Sequence, residues 1–275
     1  MVGKIKEFIG IKKEMKQRAF TLAEVLITLA IVGIIASATI PTLISNIQLG
    51  KYTSQFKKDI ATLSQSAVLG QANFDLDYAS AIMVSNIENC AEEAPDQTLS
   101  FCALINGTLS AKTTYRGLLA QFENYRINIP DKTYETQDTD VKLDTDMDKY
   151  IAYTLADGSL IAFNKDAYGC ALPEAMLLTK EWIEQNQRCV GFIDVNGISL
   201  PNKVVNCENE DPLVLNPTST CNVNSDPLHT TDIYPVVFHN SIVEPATPAG
   251  KFILSHRKST SSSDKTDRNA ERYTD

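Results

Sequence analysis

From Val25 to Gly50 the chain has no charged residue, and no cysteine occurs before Cys90. An uncharged, largely apolar run of this length excludes a surface helix with one wet face. The stretch from Val25 to Ile44 would extend about 30 Å as a helix, enough to cross the hydrocarbon core of a bilayer. Histidine is scarce: His229, His239 and His256 do not combine with cysteines at zinc-ligand spacing, and no Cys-x-x-Cys pair occurs, so no metal is expected. The chain also lacks a nucleophile elbow, a phosphate loop and a metalloprotease helix, and its scattered Ser, His and Asp define no triad. An enzyme is therefore not expected, and no cofactor. A hydrolase on a membrane anchor would need a formed cleft with convergent polar groups.

Positive charge is concentrated at one end. The first 19 residues carry Lys4, Lys6, Lys12, Lys13, Lys16 and Arg18 against Glu7 and Glu14, a net of +4, which leaves −13 of the overall −9 for everything beyond. The basic end stays in the cytoplasm by the positive-inside rule. An acidic remainder argues against binding nucleic acid. Hydrophobic residues make up 43% of the chain, enough for a sizeable core even after the apolar run is set aside. The six cysteines, Cys90, Cys102, Cys170, Cys189, Cys207 and Cys221, all follow the apolar run, which suits an oxidising compartment. Nearest-neighbour pairing along the chain is expected, Cys90 with Cys102, Cys170 with Cys189 and Cys207 with Cys221, with buried free thiols as the alternative.

At the head of the run stands Arg18-Ala19-Phe20-Thr21-Leu22-Ala23-Glu24, with Pro41 further along. A carboxylate where a membrane helix begins is costly unless paired. An uncleaved anchor accounts for the length of the run but leaves Glu24 and Pro41 unexplained. A secretory signal peptide has a shorter apolar region with its cleavage site after it. The order of cationic leader, Phe-Thr-Leu-x-Glu, apolar span and Pro resembles the processing and anchoring segment of type IV prepilins and type II secretion pseudopilins. The resemblance implies that a prepilin peptidase cuts between Ala19 and Phe20 and methylates the new amino group. It also implies that Glu24 pairs with the amino terminus of a neighbouring subunit during assembly. The chain departs from the family at Ala19, where the family almost always has Gly, which bears on the rate of cleavage.

Beyond the run, Tyr52, Phe56, Ile60, Leu63 and Ala67 recur at helical spacing, with Lys57, Lys58, Asp59, Gln65 and Ser66 expected to face away. Residues 86–114 read as loop, with Pro95 and Asn106-Gly107, and Tyr115 to Tyr125 as a short helix with Leu118, Leu119 and Phe122 inward. The acidic stretch Asp138, Asp140, Asp144, Asp146 and Asp148 begins like a calcium loop. Lys149 and Leu155 stand where its Gly and bidentate Glu should be, so it reads as a solvated loop. Tyr150–Leu155 and Ser159–Phe163 flank Asp157-Gly158 as a hairpin. Glu174 to Gln187 reads as a helix or a decorated loop. Strands are expected at Val190–Val195, Asp232–Phe238 and Lys251–Leu254, with Pro235 favouring an edge.

Leu155-Ala-Asp-Gly-Ser-Leu-Ile161, Phe192-Ile-Asp-Val-Asn-Gly197, Pro201-Asn202 and Asp232-Ile-Tyr-Pro235 are similar to the series in pseudopilin-like heads, with the Cys207–Cys221 region as an inserted loop. Asp194, Asn196 and the Gly197 turn either offer oxygens to calcium or stabilise their own turn.

The expected fold is α+β, a long N-terminal α-helix with a membrane-embedded first half, packed on an antiparallel sheet. The expected organisation is a leader over 1–19, a transmembrane helix over 20–48, its amphipathic continuation over 49–80, a head over 81–258 and a disordered tail over 259–275. The resemblance implies a structural subunit of a type IV pilus or type II secretion pseudopilus, minor or specialised, whose partners are prepilin peptidase, other pilin or pseudopilin subunits and the inner membrane. Its head would lie outside the cytoplasm before the subunit joins a surface or periplasmic filament. The rival is a membrane-tethered extracytoplasmic binding domain that never polymerises. The native protein is expected to begin at Phe20 with a methylated amino group. Mass spectrometry of its N-terminus checks this, and recovery of mostly full-length chain from its host would count against the pilin reading.

Overall fold

The computed structural model describes residues 21–84, 87–109, 113–123, 125–129, 134, 140–208, 210–221, 223 and 230–255. The leader 1–19, the Ala19–Phe20 junction, Asp138, His229, His256 and the tail 259–275 lie outside the described residues. Contacts divide the chain into two units, Met1–Ile44 and Ser45–Asp275. Helix α1, Leu22–Phe74, contains Pro41 and Gly50 and ends short of residue 80. In the second unit its Tyr52, Phe56, Ile60, Leu63 and Ala67 are all buried, as the spacing predicts. Asp59 and Ser66, expected to face away, are buried as well, at 0% and 1% exposure. Each lies three residues after a stripe member, Phe56 or Leu63, so the buried face is wider than the apolar pattern alone implies. Ser66 donates its hydroxyl to the Leu63 carbonyl at 2.7 Å.

The stripe packs on a six-stranded sheet in the order β1-β2-β3-β4-β5-β6. Its strands are β1 Thr113–Leu118, β2 Tyr150–Leu155, β3 Leu160–Asn164, β4 Val190–Asp194, β5 Ile233–His239 and β6 Ile242–Pro245. Every neighbouring pair is antiparallel. Ile151, Tyr153, Ile161, Phe163, Ile193, Tyr234 and Val236 face α1. Their alternates Tyr150, Ala152, Leu160, Ala162, Phe192, Ile233 and Val237 build a second core on the other face with Leu119, Tyr125 and Leu143. Burial of both faces explains why these strands read as continuous apolar runs with little polar alternation. The β2–β3 turn forms at Asp157-Gly158 as predicted, with Gly158 at φ +91° and its N–H on the Leu155 carbonyl at 3.0 Å.

Several local expectations fail for identifiable reasons. The 86–114 region contains a 3-10 turn, Ile87–Glu92, and helix α2, Phe101–Leu109. Ser100 caps α2 by accepting from the Ala103 N–H at 3.0 Å. Asn106, read as a turn residue, sends its amide to the carbonyls of Cys90 and Glu93 at 2.7 and 2.9 Å, and the Pro95 ring fills the space that a side chain at Gly107 would need. Tyr115–Tyr125 is not a helix. Thr113–Leu118 pairs with β2 through a bulge between Tyr115 and Gly117, and only Leu119–Gln121 turns helically. Between Glu174 and Gln187 the α-helix is confined to α3, Lys180–Gln185, where the Thr179 hydroxyl accepts from the Trp182 N–H. Lys251–Leu254 belongs to helix α4, Pro248–Ser255, with Pro in its first turn and Thr247 accepting from the Gly250 N–H at 3.2 Å.

Pro235 is not on an edge strand, since β5 lies between β4 and β6. Its carbonyl accepts from the Ala246 N–H at 2.9 Å. Backbone N–H and C=O of one antiparallel residue point the same way, so the missing donor faces the end of β6, beyond Pro245, and no β4 bond is lost. The edge on this side is β6, whose Val243 N–H is covered by the Ser64 hydroxyl of α1 at 3.0 Å.

Cys90–Cys102, Cys170–Cys189 and Cys207–Cys221 are disulfides. The first ties the Ile87–Glu92 turn to α2 and the last closes the inserted loop.

Gly191 sits where strand β3 and the Phe238 ring leave no room: an added Cβ would lie 2.1 Å from the Ala162 carbonyl oxygen and 2.8 Å from that ring. Gly191→Ala is expected to destabilise the head by about 1–3 kcal/mol or more, because a backbone atom has to move. Denaturant unfolding checks this, and a variant as stable as wild type would show that the close approach is not real.

Candidate functional site

The first turn of α1 is built from Thr21 and Glu24. The Thr21 N–H and hydroxyl both donate to Glu24 Oε2 at 2.8 Å, and Thr21 Oγ1 accepts from the Glu24 N–H at 3.2 Å. This is a reciprocal capping box, which satisfies helix-end donors that lipid could not. The Thr-x-x-Glu spacing encodes it, a local role for Glu24 that the resemblance to prepilins does not disclose. Along the next turns every large apolar side chain from Leu22 to Ile47 is exposed, from 44% at Val25 to 80% at Leu22. Thr28, Ser37, Thr39 and Thr42 turn their hydroxyls onto carbonyls of α1 itself, those of Val25, Ile34, Ile35 and Thr39, at 2.8–3.0 Å. Such back-bonding leaves hydrocarbon as the outer surface. By length and composition this helix can cross a membrane.

Residues 15–40 match the family described as the prokaryotic N-terminal methylation motif. The chain carries the type IV pilin and pseudopilin signature. Neither curated proteins nor solved structures give a match. The matched range takes in the capping box and Pro41's neighbour Ile40, together with the Ala19–Phe20 junction. Proteins with this motif are generally structural rather than enzymatic. The long helix and the antiparallel sheet make the fold α+β and pilin-like.

In the pilin-like head, the residues singled out near Asp194 hold loops. Asp194, at 0% exposure, accepts from the Tyr125 hydroxyl at 2.8 Å and from the Asn196 N–H at 3.0 Å. Asn196 donates to the carbonyls of Ser199 and Leu200 at 3.2 and 2.8 Å. Asp232, equally buried, accepts from the N–H groups of Asn202 and Lys203 at 3.0 and 2.7 Å, and Asn202 takes a left-handed φ of +51°. All four carboxylate oxygens are thus engaged, three by backbone N–H groups of the segment from Asn196 to Lys203 and one by the Tyr125 hydroxyl. Sequence spacing found Asp194 and Asn196 but missed Tyr125, which comes from a distant segment, and the role of Asp232.

The acidic stretch disperses into separate contacts. Asp140 pairs with Lys180 at 3.2 Å, Asp144 pairs with Lys149, and the Asp146 side chain accepts from the Asp148 N–H at 3.1 Å. Among the described residues no three His, Cys, Asp or Glu side chains converge as a metal ion would require. A hollow of about 340 Å³ beside the Cys207–Cys221 loop is lined by Asp140, Glu210, Asp211, Asn216 and Ser219 among others. Asp211 is tied to Lys142 at 2.9 Å, and among the described residues no histidine lines the hollow to activate Ser219.

Burial, and then the charge of Asp232, push the Asp194 carboxyl well above its ordinary range, while the Tyr125 hydrogen bond pulls it down. A folded-state value above the unfolded one means that this group's contribution is complete in acid and is lost as pH rises through the folded value. Tyr125→Phe removes the bond that favours the charged form and leaves a buried acceptor unpaired. A loss of about 1–3 kcal/mol is expected, smallest in acid and larger on the alkaline side. Thermal unfolding across that pH range checks it, and a deficit that shrinks with rising pH would contradict the assignment.

Proposed function

We propose that the chain is a structural subunit, cut by prepilin peptidase between Ala19 and Phe20 and assembled into a type IV pilus or a type II secretion pseudopilus. The observation that carries this reading is the α1 segment matched by the methylation motif: apolar on all sides from Leu22 to Ile47, its hydroxyls turned inward, and headed by one carboxylate, Glu24. Such a surface is stable in lipid or against copies of itself and costly in water. Before assembly the helix anchors the subunit in the inner membrane with the acidic, disulfide-linked head outside the cytoplasm. The cysteine-rich head with its stapled loop favours a minor or specialised subunit, since repetitive packing tolerates few decorations.

In the separate chain Glu24 is occupied by Thr21 of its own helix. Its remaining acceptor capacity and its charge are available to the amine that cleavage creates at Phe20 of a neighbouring subunit. Assembly therefore depends on charge, whereas capping depends only on an acceptor oxygen. Glu24→Gln separates the two, because glutamine also serves in a capping box. The variant is expected to fold and reach the membrane as wild type does and to fall at least about tenfold in filament incorporation, the effect of losing on the order of 1.4 kcal/mol. Shear fractionation with detection of the subunit measures this. Incorporation at the wild-type level would reject an assembly role for Glu24, and absence of wild-type chain from any filament would favour the tethered binding domain.

A further inference from the structure

Asp59 is buried in α1 at 0% exposure, and neither of its carboxylate oxygens has a hydrogen-bond partner. A buried carboxylate left this way is costly, because desolvation is not offset by any donor. The groups around it are committed elsewhere. Lys58, the next residue on α1, reaches across to Asp157 in the β2–β3 turn at 2.6 Å. The Ser159 hydroxyl gives its one proton to Asp157 Oδ1 at 2.7 Å, and the Ser159 N–H points to the same oxygen at 3.3 Å. Asp157 from the turn thus acts on Asp59 as a like charge, while the Ser159 hydroxyl and Lys58 of its own helix favour the charged form, though Ser159 and Lys58 are both bonded to Asp157. One ion pair clips the turn to α1, and beside it a second carboxylate stands in a dry place where the one nearby hydroxyl, Ser159, is already given to Asp157.

We propose that Asp59 is a proton-operated latch: with its carboxyl protonated the β2–β3 turn closes on α1, and loss of that proton drives the turn away from the helix. The neutral carboxyl carries no charge to oppose Asp157 and has a donor of its own to offer. The carboxylate has neither advantage, and it regains water only if the turn lifts. Burial first, then the charge of Asp157, push the Asp59 carboxyl from its ordinary 3.8 up to about 7. The sign follows directly: closure is fully favoured below the unfolded value and is lost as pH rises through about 7. Two short backbone bonds lie within the turn, Leu155 N–H to Ser159 O at 2.8 Å and Gly158 N–H to Leu155 O at 3.0 Å; Leu155 and Ser159 are buried while the turn is closed, so lifting it from α1 wets these amides and speeds their exchange.

The test is amide hydrogen exchange of the full-length chain in detergent micelles, read on the peptide covering Thr154 to Leu160. Rates are corrected for intrinsic base catalysis and compared between about pH 5.5 and about pH 8.5, the range that brackets the titration. Wild-type protection is expected to fall roughly tenfold over that range while protection in β4 and β5 stays constant. Asp59→Asn should hold the same protection at both pH values. Asp157→Asn removes the like charge and frees Lys58 for Asp59, so its transition should move to lower pH, and it carries the test if the Asp59→Asn variant does not fold. Wild-type protection that does not change with pH overturns the latch. So does a wild-type transition that persists in Asp59→Asn or stays in place in Asp157→Asn.

Discussion

Phe56 of α1 stacks on Tyr234 of β5 with ring centroids 4.1 Å apart, and the rest of the head is arranged so that this line of contact can form. Next to it Tyr78, Phe101 and Phe238 meet at 5.1–5.8 Å, and the Tyr78 hydroxyl returns to the Leu63 carbonyl of α1 at 3.0 Å. Each such ring contributes on the order of 3 kcal/mol by leaving water, more where ring geometry is favourable. The sheet has one apolar face too many for a structure without α1. The segment between Tyr52 and Ala67 is therefore as much a part of the head's core as any strand, and Ser64 extends the same association to the polar backbone of β6.

One helix thus serves two kinds of surroundings. Up to Ile47 its apolar side chains are distributed all round and exposed; from Tyr52 they narrow to a stripe that is buried. The change is written in charge, since Lys51 is the first ionic residue after Glu24. It shows in side-chain chemistry as well. Thr28, Ser37, Thr39 and Thr42 in the first part bond carbonyls of their own helix, whereas Ser64, Lys58 and Tyr52 in the second meet groups from elsewhere in the head.

What could be read from residues alone follows from how local each signal is. The apolar run, the Tyr52–Ala67 stripe, the Asp157-Gly158 hairpin and β4 depend on spacing within a few residues, and all are present. The α2 helix was hidden because Asn106-Gly107 resembles a turn, yet Asn106 is recruited by carbonyls of the distant Cys90–Glu93 segment. Residues 115–125 have helical spacing of Leu118, Leu119 and Phe122, and pairing with β2 overrides it. Pro235 obeys the rule against interior prolines in a way that sequence cannot reveal, because compliance depends on where β6 stops. Burial of Asp59 was equally out of reach, since an acid on a helix is read as solvated unless the turn above it is known.

The three disulfides join each odd cysteine to the next one in the chain, Cys90 to Cys102, Cys170 to Cys189 and Cys207 to Cys221. Each loop is short, between 12 and 19 residues in separation, so closing it removes little freedom from partners yet to appear. A head that emerges in chain order presents every thiol to its proper mate before the following pair appears. An oxidant that simply couples each new cysteine to the unpaired one before it arrives at the correct connectivity in a single pass, with no later reshuffling.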